Sequence, residues 1–290
     1  MRAPLSLSLL AFVAASNAVL HSVALTSMQQ SFFAESAAYE RFMGRWSRQV
    51  APLLVQFADI RDGQAVLDVG SGTGALALAA AQVAPSAQIT GVDPSASYVA
   101  YAQGRAPTER VRFAVGDAQA LQMPDATFDR VVTLFVMNFI HDRPKALREM
   151  IRVTRPDGLI AAAVWDYGDG MQMLRVFWDE AVALDPAVAA RDERNMPLCR
   201  RGELAALWRE HGLAQVEEQP LTIRMSFSSF EDYWEPFLGG QGPAGAHVAS
   251  LTAARRDALR NRIRQRLVGN GPDRPIQLEA RAWAVKGVIR

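Results

Sequence analysis

The sequence predicts a doubly wound α/β fold. Its sheet is mostly parallel, with helices on both faces, an antiparallel end strand and a helical insertion. Three observations predict it. Short apolar runs alternate with stretches of helical length through the middle of the chain, the pattern of strands joined by crossover helices. Those runs are apolar almost throughout, as in strands covered on both faces. The first of them also ends in a glycine-rich turn that opens a helix, Gly70-Ser71-Gly72-Thr73-Gly74.

The elements follow in order. Residues 39–58 carry Phe42, Trp46, Val50, Leu53, Leu54 and Phe57 at helical spacing, which predicts one or two cap helices within 35–58. Strands are expected over 65–70, 87–93, 111–117, 129–135 and 159–165. Between them, helices are expected over 75–83, 95–104 and 143–154. Pro94-Ser95 starts the second of these, with Ser95 or Asp93 available as its cap. Arg155-Pro156-Asp157-Gly158 stops the third and turns the chain. Beyond the last strand, 171–184 and 203–211 read as helices. Residues 214–227 and 277–289 read as strands of an antiparallel end pair. The segment 230–271 reads as a helical, substrate-side insertion, broken at the Gly/Pro-rich stretch 239–245. Residues 31–290 thus make one domain with a helical elaboration.

Composition excludes several functions. The chain has 290 residues, and 31 basic side chains stand against 30 acidic ones, so bulk charge does not favour a nucleic acid. Half of the residues are hydrophobic, which excludes global disorder. The single cysteine, Cys199, excludes an intramolecular disulfide, and the four histidines show no metal-ligand spacing, so no metal site is expected. No charged side chain lies between Arg2 and Glu35. That stretch, 1–30, reads as an overrun start with Met28 as the true initiator, or as a signal or membrane anchor within 1–25. No stable membrane partner is expected, and the oligomeric state is left open.

The chemistry concentrates at strand ends. The first strand delivers Asp68 to its carboxyl end, and Gly70, Gly72 and Gly74 then let backbone approach a ligand. Asp93 ends the next strand, where a carboxylate can accept from both hydroxyls of a ribose. The third ends in Gly116-Asp117-Ala118, where a short acidic loop can reach an adenine amino group. The spacing G-x-G-x-G departs from the G-x-G-x-x-G of dinucleotide sites. Asp68 fits badly beside a pyrophosphate and well beside an amine. S-adenosylmethionine has an amine, a ribose and an adenine, and no phosphate.

On these residues the chain resembles a class I S-adenosylmethionine-dependent methyltransferase of the broad type 11 group. The stretches that carry the resemblance are 39–48, 66–77, 91–95, 116–132 and 146–158, in the family's order, within about residues 35–166. The resemblance implies a Rossmann-like class I methyltransferase fold, S-adenosylmethionine as cofactor and a small-molecule methyl acceptor. It implies that Asp68 holds the methionine amine and that Gly70, Ser71, Gly72, Thr73 and Gly74 surround the amino-acid tail. Asp93 would take the ribose, and Pro94 and Ser95 would flank the adenine. Asp117 and Ala118 would meet the adenine edge, and Leu134, Phe135 and Val136 would line the methyl end. Tyr39 and Arg45 would close over the cofactor, with Arg45 on its carboxylate.

The loop 138–142 holds His141 as candidate general base, against the plainer reading of a loop or capping residue. Phe230, Tyr233, Trp234 and Phe237 are candidate walls of an acceptor pocket. Cys199 reads as a buried apolar residue. The basic run 255–266 reads as one solvated face of an amphipathic helix. Two other functions share the strand-end pattern. A nicotinamide-dependent oxidoreductase is disfavoured by the glycine spacing, and a non-catalytic S-adenosylmethionine-binding protein is compatible with it. The cofactor's cytoplasmic origin makes the cytoplasm the expected location.

Overall fold

The structure is a computed structural model and describes residues 36–290. The apolar stretch 1–30, with its overrun or signal reading, lies outside the described residues. A single π-helical turn, Glu40–Gly44, leads into helix α1, Arg45–Phe57. The α/β unit then runs β1 Ala65–Val69, α2 Ala75–Val83, β2 Gln88–Asp93, α3 Ala96–Gln103, β3 Val111–Val115, β4 Phe128–Leu134, α4 Arg143–Val153 and β5 Thr154–Trp165. Helices α5 Gln172–Leu184 and α6 Glu203–Glu210 follow, then β6 Ala214–Phe227. The insertion contains α7 Phe230–Trp234, α8 Gly242–Ser250 and α9 Ala253–Leu267, and the described chain closes with β7 Ile276–Val288.

The sheet has seven strands in the order β3-β2-β1-β4-β5-β7-β6. The five strands from β1 to β5 pair in parallel, whereas β7 pairs antiparallel with both β5 and β6. The strand order reverses between β1 and β4, and a ligand crevice opens beyond their carboxyl ends at such a switch point. Alternate residues of each strand feed opposite cores. On β5, Ile160, Ala162 and Val164 join α4 and α6, through Leu147, Met150, Leu204 and Trp208. Ala161, Ala163 and Trp165 join the larger core with α1, α5 and the insertion.

Local chemistry explains the boundaries. Ser95 caps α3, its Oγ accepting from the Tyr98 N–H at 3.3 Å, and Asp142 caps α4 by accepting from the Lys145 N–H at 2.9 Å. Asp157 takes a left-handed φ of 60° at the start of β5, where the β4–β5 register shifts between Thr154 and Leu159, a conformation that Asp tolerates better than most residues; the expected turn over 155–158 is thus an irregularity within the strand. Helix α9 turns Leu259 and Ile263 inward. Its basic face is held by α5: Arg262 bonds Glu180 at 2.9 Å and Arg266 bonds Asp179 at 3.1 Å. Among the described residues, no helix is long and apolar enough to cross a membrane.

Candidate functional site

A cleft of about 350 Å³ opens at the β1/β4 switch point. Its floor is the loop between β1 and α2. Gly70, with φ 71°, needs both its conformation and its missing side chain, because a Cβ there would lie 2.5 Å from Val136 Cγ2. Gly72, with φ 53°, faces open space instead. The loop is drawn toward β2, where the Gly70 and Ser71 N–H groups both donate to the Val92 carbonyl, at 2.7 and 2.9 Å.

Asp68 is the most perturbed group on the cleft wall. It is 1% exposed, and its Oδ2 accepts from the Ala77 N–H at 3.0 Å. Its Oδ1 is buried without a hydrogen-bond partner, as is Ser71 Oγ. Burial pushes the Asp68 carboxyl up to about 7, aided by the charge of Asp93 and opposed by the Ala77 N–H. Such an orphaned buried acceptor is costly unless a ligand donor satisfies it. Asp93 ends β2 and spans the cleft: Oδ2 accepts from the Gly72 N–H and Oδ1 from the Ser95 N–H, both at 2.9 Å. Burial also raises its carboxyl pKa, against the pull of those two N–H groups.

The cap helix closes the cleft from above. Tyr39 and Ser47 line it together with Tyr98 of α3, the two tyrosine rings lying 5.4 Å apart. Glu40 fastens the cap to the floor, accepting from the Thr73 hydroxyl and pairing with Arg48. On the far wall are Leu134, Phe135 and Val136. Phe135 has φ 63°, an outlier for a bulky residue, and its ring stacks on Trp165 at 4.0 Å.

Of the residues expected from sequence, Tyr39, Asp68, Gly70, Ser71, Gly72, Thr73, Asp93, Leu134 and Phe135 come together around this cleft. Gly74 and Ser95 sit behind it as the caps of α2 and α3, and Pro94 lies between Asp93 and Ser95, outside the lining. Asp117 and Ala118 lie beyond the end of β3, outside the enclosed lining; Asp117 is exposed and accepts from the Gln119 N–H at 2.8 Å.

Arg45 differs from its expected place. It sits two residues from Ser47, hence on the opposite side of the helix. There it bonds Asp232 at 2.7 Å and lies over the Trp46 and Phe227 rings. His141 is exposed and outside the cleft, because the turn from Val136 to Phe139 carries the chain outward to the α4 cap. The insertion aromatics also differ. Phe230, Tyr233, Trp234 and Phe237 are at most 2% exposed and belong to the core. Phe237 stacks on Phe177, and the Tyr233 hydroxyl donates to the Met173 carbonyl at 2.8 Å.

Sequence reasoning missed a second, smaller cavity of about 90 Å³ that shares Tyr39, Phe135, Phe139 and Gly242 with the cleft. Its remaining walls include Phe42, Trp165, Tyr167 and Leu174, with one acid, Glu193. The insertion contributes Gln241, Gly242 and Pro243 rather than its aromatics. Glu193 stands at the start of a 3₁₀ turn between α5 and α6, in a stretch with no motif to mark it.

Residues 67–162 match the family model described as Methyltransferase domain. The chain is 38% identical over 116 residues to a demethylmenaquinone methyltransferase of Thermus thermophilus, covering 39% of this chain and 51% of that protein. It is 34% identical over 145 residues to a malonyl-[acyl-carrier protein] O-methyltransferase of Geobacter sulfurreducens, covering 49% and 54%. The chain thus spans about half the length of these relatives. In fold it is similar to the YcgJ protein of Bacillus subtilis, with TM-score 0.55 and 22% identity over 83% of this chain and 98% of that one. It is also similar to a Haemonchus contortus phosphoethanolamine N-methyltransferase solved with S-adenosyl-L-methionine, with TM-score 0.54 and 21% identity over 90% and 57%. The seven-stranded sheet therefore has the class I methyltransferase fold, and the match to the methyltransferase-domain model lies within its parallel half, residues 67–162.

Proposed function

We propose that this protein transfers the methyl group of S-adenosylmethionine to a small-molecule acceptor. One observation carries the reading: a buried carboxylate oxygen, Asp68 Oδ1, has no protein partner and stands on the wall of a cleft built at the β1/β4 switch point. An ammonium group supplies what that oxygen lacks. A cation beside it would also offset the burial that raises the carboxyl pKa.

Each cleft residue has a part in this reading. Asp68 Oδ1 and Ser71 Oγ take the amino-acid end. Asp93 keeps a second lone pair on each oxygen after accepting from Gly72 and Ser95, so it can still receive the ribose hydroxyls. Tyr39 and Tyr98 flank the ligand, and Asp117 with Ala118 meets the adenine edge from the mouth. Leu134, Phe135 and Val136 keep water from the methyl end. The bound cofactor supplies an electrophilic methyl group, and the protein aligns the acceptor with it. The relatives named for quinone and acyl-carrier-protein substrates support a small or carrier-borne acceptor. A cytoplasmic location belongs to the same reading, because the methyl donor is made there.

Calorimetry with S-adenosylmethionine tests the reading. The wild type is expected to bind, and Asp93→Ala to lose roughly ten- to a hundredfold in affinity, as for the loss of two charge-assisted hydrogen bonds. A wild-type chain that stays silent at millimolar cofactor rejects it.

A further inference from the structure

The cavity beside the cleft has a composition that asks for an explanation. Its walls are aromatic and apolar, yet one carboxyl group lines it. Glu193 is 2% exposed. Its Oε2 accepts from the Trp178 indole N–H, which fixes one oxygen and the plane of the group. The nearby guanidinium does not neutralise it. Arg175 is spent on the neighbouring Asp192, with Nη1 donating to Oδ2 at 3.1 Å and Nη2 donating to Oδ1. Glu193 is thus a buried acid oriented by an indole and left without a counter-ion of its own.

We propose that Glu193 is the acceptor-side proton acceptor: it receives a hydrogen bond from a hydroxyl or amino group on a small, ring-sized apolar acceptor and takes that proton during methyl transfer. This rests on the function proposed above. In the step, the acceptor's O–H or N–H bond breaks and its proton passes to a Glu193 oxygen, turning carboxylate into carboxylic acid. A bond forms from the acceptor's oxygen or nitrogen to the methyl carbon. The carbon–sulfur bond breaks with its electron pair left on sulfur, which becomes a neutral thioether.

Three observations support this role. The two cavities are adjacent and share the walls Tyr39, Phe135, Phe139 and Gly242, which places the small cavity beside the methyl end of the cleft. The volume of about 90 Å³ is far below the roughly 300 Å³ at which drug-sized sites begin, which matches a single ring. Burial, with the adjacent Asp192 charge and against the backbone N–H groups of Glu193 and Ala244 and the Arg175 charge, pushes the Glu193 carboxyl up to about 8, close to the working pH where a general base is most effective. The charged or titratable groups around it include Arg175 on α5 and Arg194, which both pair with Asp192, Tyr39 of the cap, Tyr167 after β5, and His247 on α8, whose ring lies 5.6 Å from that of Trp178.

The test uses the full chain saturated with S-adenosylhomocysteine, which also shows that each variant is folded. Phenol and aniline are the probes, and toluene is the control that has no proton to give. Wild type is expected to bind phenol about tenfold more tightly than toluene. That preference should rise with pH through about 8, as the carboxylate form appears. Glu193→Leu should erase the preference. With methyl-labelled S-adenosylmethionine, wild type should label phenol or aniline, and Glu193→Gln should lose about a hundredfold in rate while still binding the probe. A wild type that binds S-adenosylhomocysteine but neither prefers nor labels these probes overturns the inference and leaves the proposed function standing. So does a Glu193→Gln variant that transfers at the wild-type rate. Failure to bind S-adenosylhomocysteine at all rejects the function itself.

Discussion

The glycine-loop cleft and the aromatic cavity share a wall but are built in different ways. The cleft takes its polar groups from the ends of consecutive strands: Asp68 near the end of β1, the loop 70–74 after it and Asp93 at the end of β2. The cavity takes its walls from the cap turn, the loops after β4 and β5, helix α5, a 3₁₀ turn and the insertion. In the first, the backbone positions the chemistry. In the second, side chains from distant segments do, and backbone order alone specifies none of them.

The largest expected effect tests the backbone side of this contrast. Gly70→Ala forces a Cβ to 2.5 Å from Val136 in a left-handed conformation. It is expected to lower stability by about 1–3 kcal/mol and to abolish cofactor binding, since no side-chain rotation relieves the clash. Differential scanning calorimetry with and without S-adenosylmethionine reads both effects. A cofactor-induced rise in Tm equal to that of wild type would show that the loop tolerates movement.

Asp68→Asn should separate function from stability at one position. It should weaken cofactor binding by about ten- to a hundredfold, through loss of a charge-assisted hydrogen bond. The unliganded protein should meanwhile become more stable above pH 7. The folded-state pKa of Asp68 is raised to about 7 from an unfolded value near 4. The folded chain therefore holds this proton more tightly than the unfolded one. The resulting stability is fully present below about pH 4 and is lost as pH rises through about 7. Asparagine lacks the penalty, so the variant and wild type should coincide in acid and diverge at pH 8 by an amount on the order of a few kcal/mol. Chemical denaturation at the two pH values measures the gap.

The smallest effects sharpen the comparison from outside both cavities. Arg45→Ala should change cofactor affinity less than about twofold and cost at most about 1 kcal/mol, as for a partly exposed ion pair. His141→Ala should leave both binding and methyl transfer unchanged. A tenfold loss of affinity in Arg45→Ala would mean that the helix turns this side chain into the cleft when the cofactor binds.

The contrast also explains what was legible in the sequence. The strand-and-helix order and the residues Asp68, Gly70 and Asp93 could be read, because period, punctuation and glycine spacing are local signals. Helix face was harder. Tyr39 and Ser47 line the cleft whereas Arg45, between them in sequence, bonds Asp232, and the π-helical turn Glu40–Gly44 sits inside that stretch. The aromatic run from Phe230 to Phe237 looked like pocket wall, but its rings complete the core against α5, and Gly242 reaches the cleft instead. Glu193 gave no signal. Its importance lies in Trp178, fifteen positions earlier, and in Arg175 being engaged elsewhere, and both are facts of packing.

The wall that the two cavities share carries a thermodynamic consequence. Tyr39, Phe135, Phe139 and Gly242 bound both spaces, so an occupant of either one fixes surfaces that the other must meet. Linkage makes this reciprocal: by whatever factor a filled cleft changes affinity in the small cavity, a filled small cavity changes affinity in the cleft by the same factor. Where that factor is favourable, a spent cofactor is held most firmly while the methylated product remains beside it; where it is unfavourable, each product helps to expel the other.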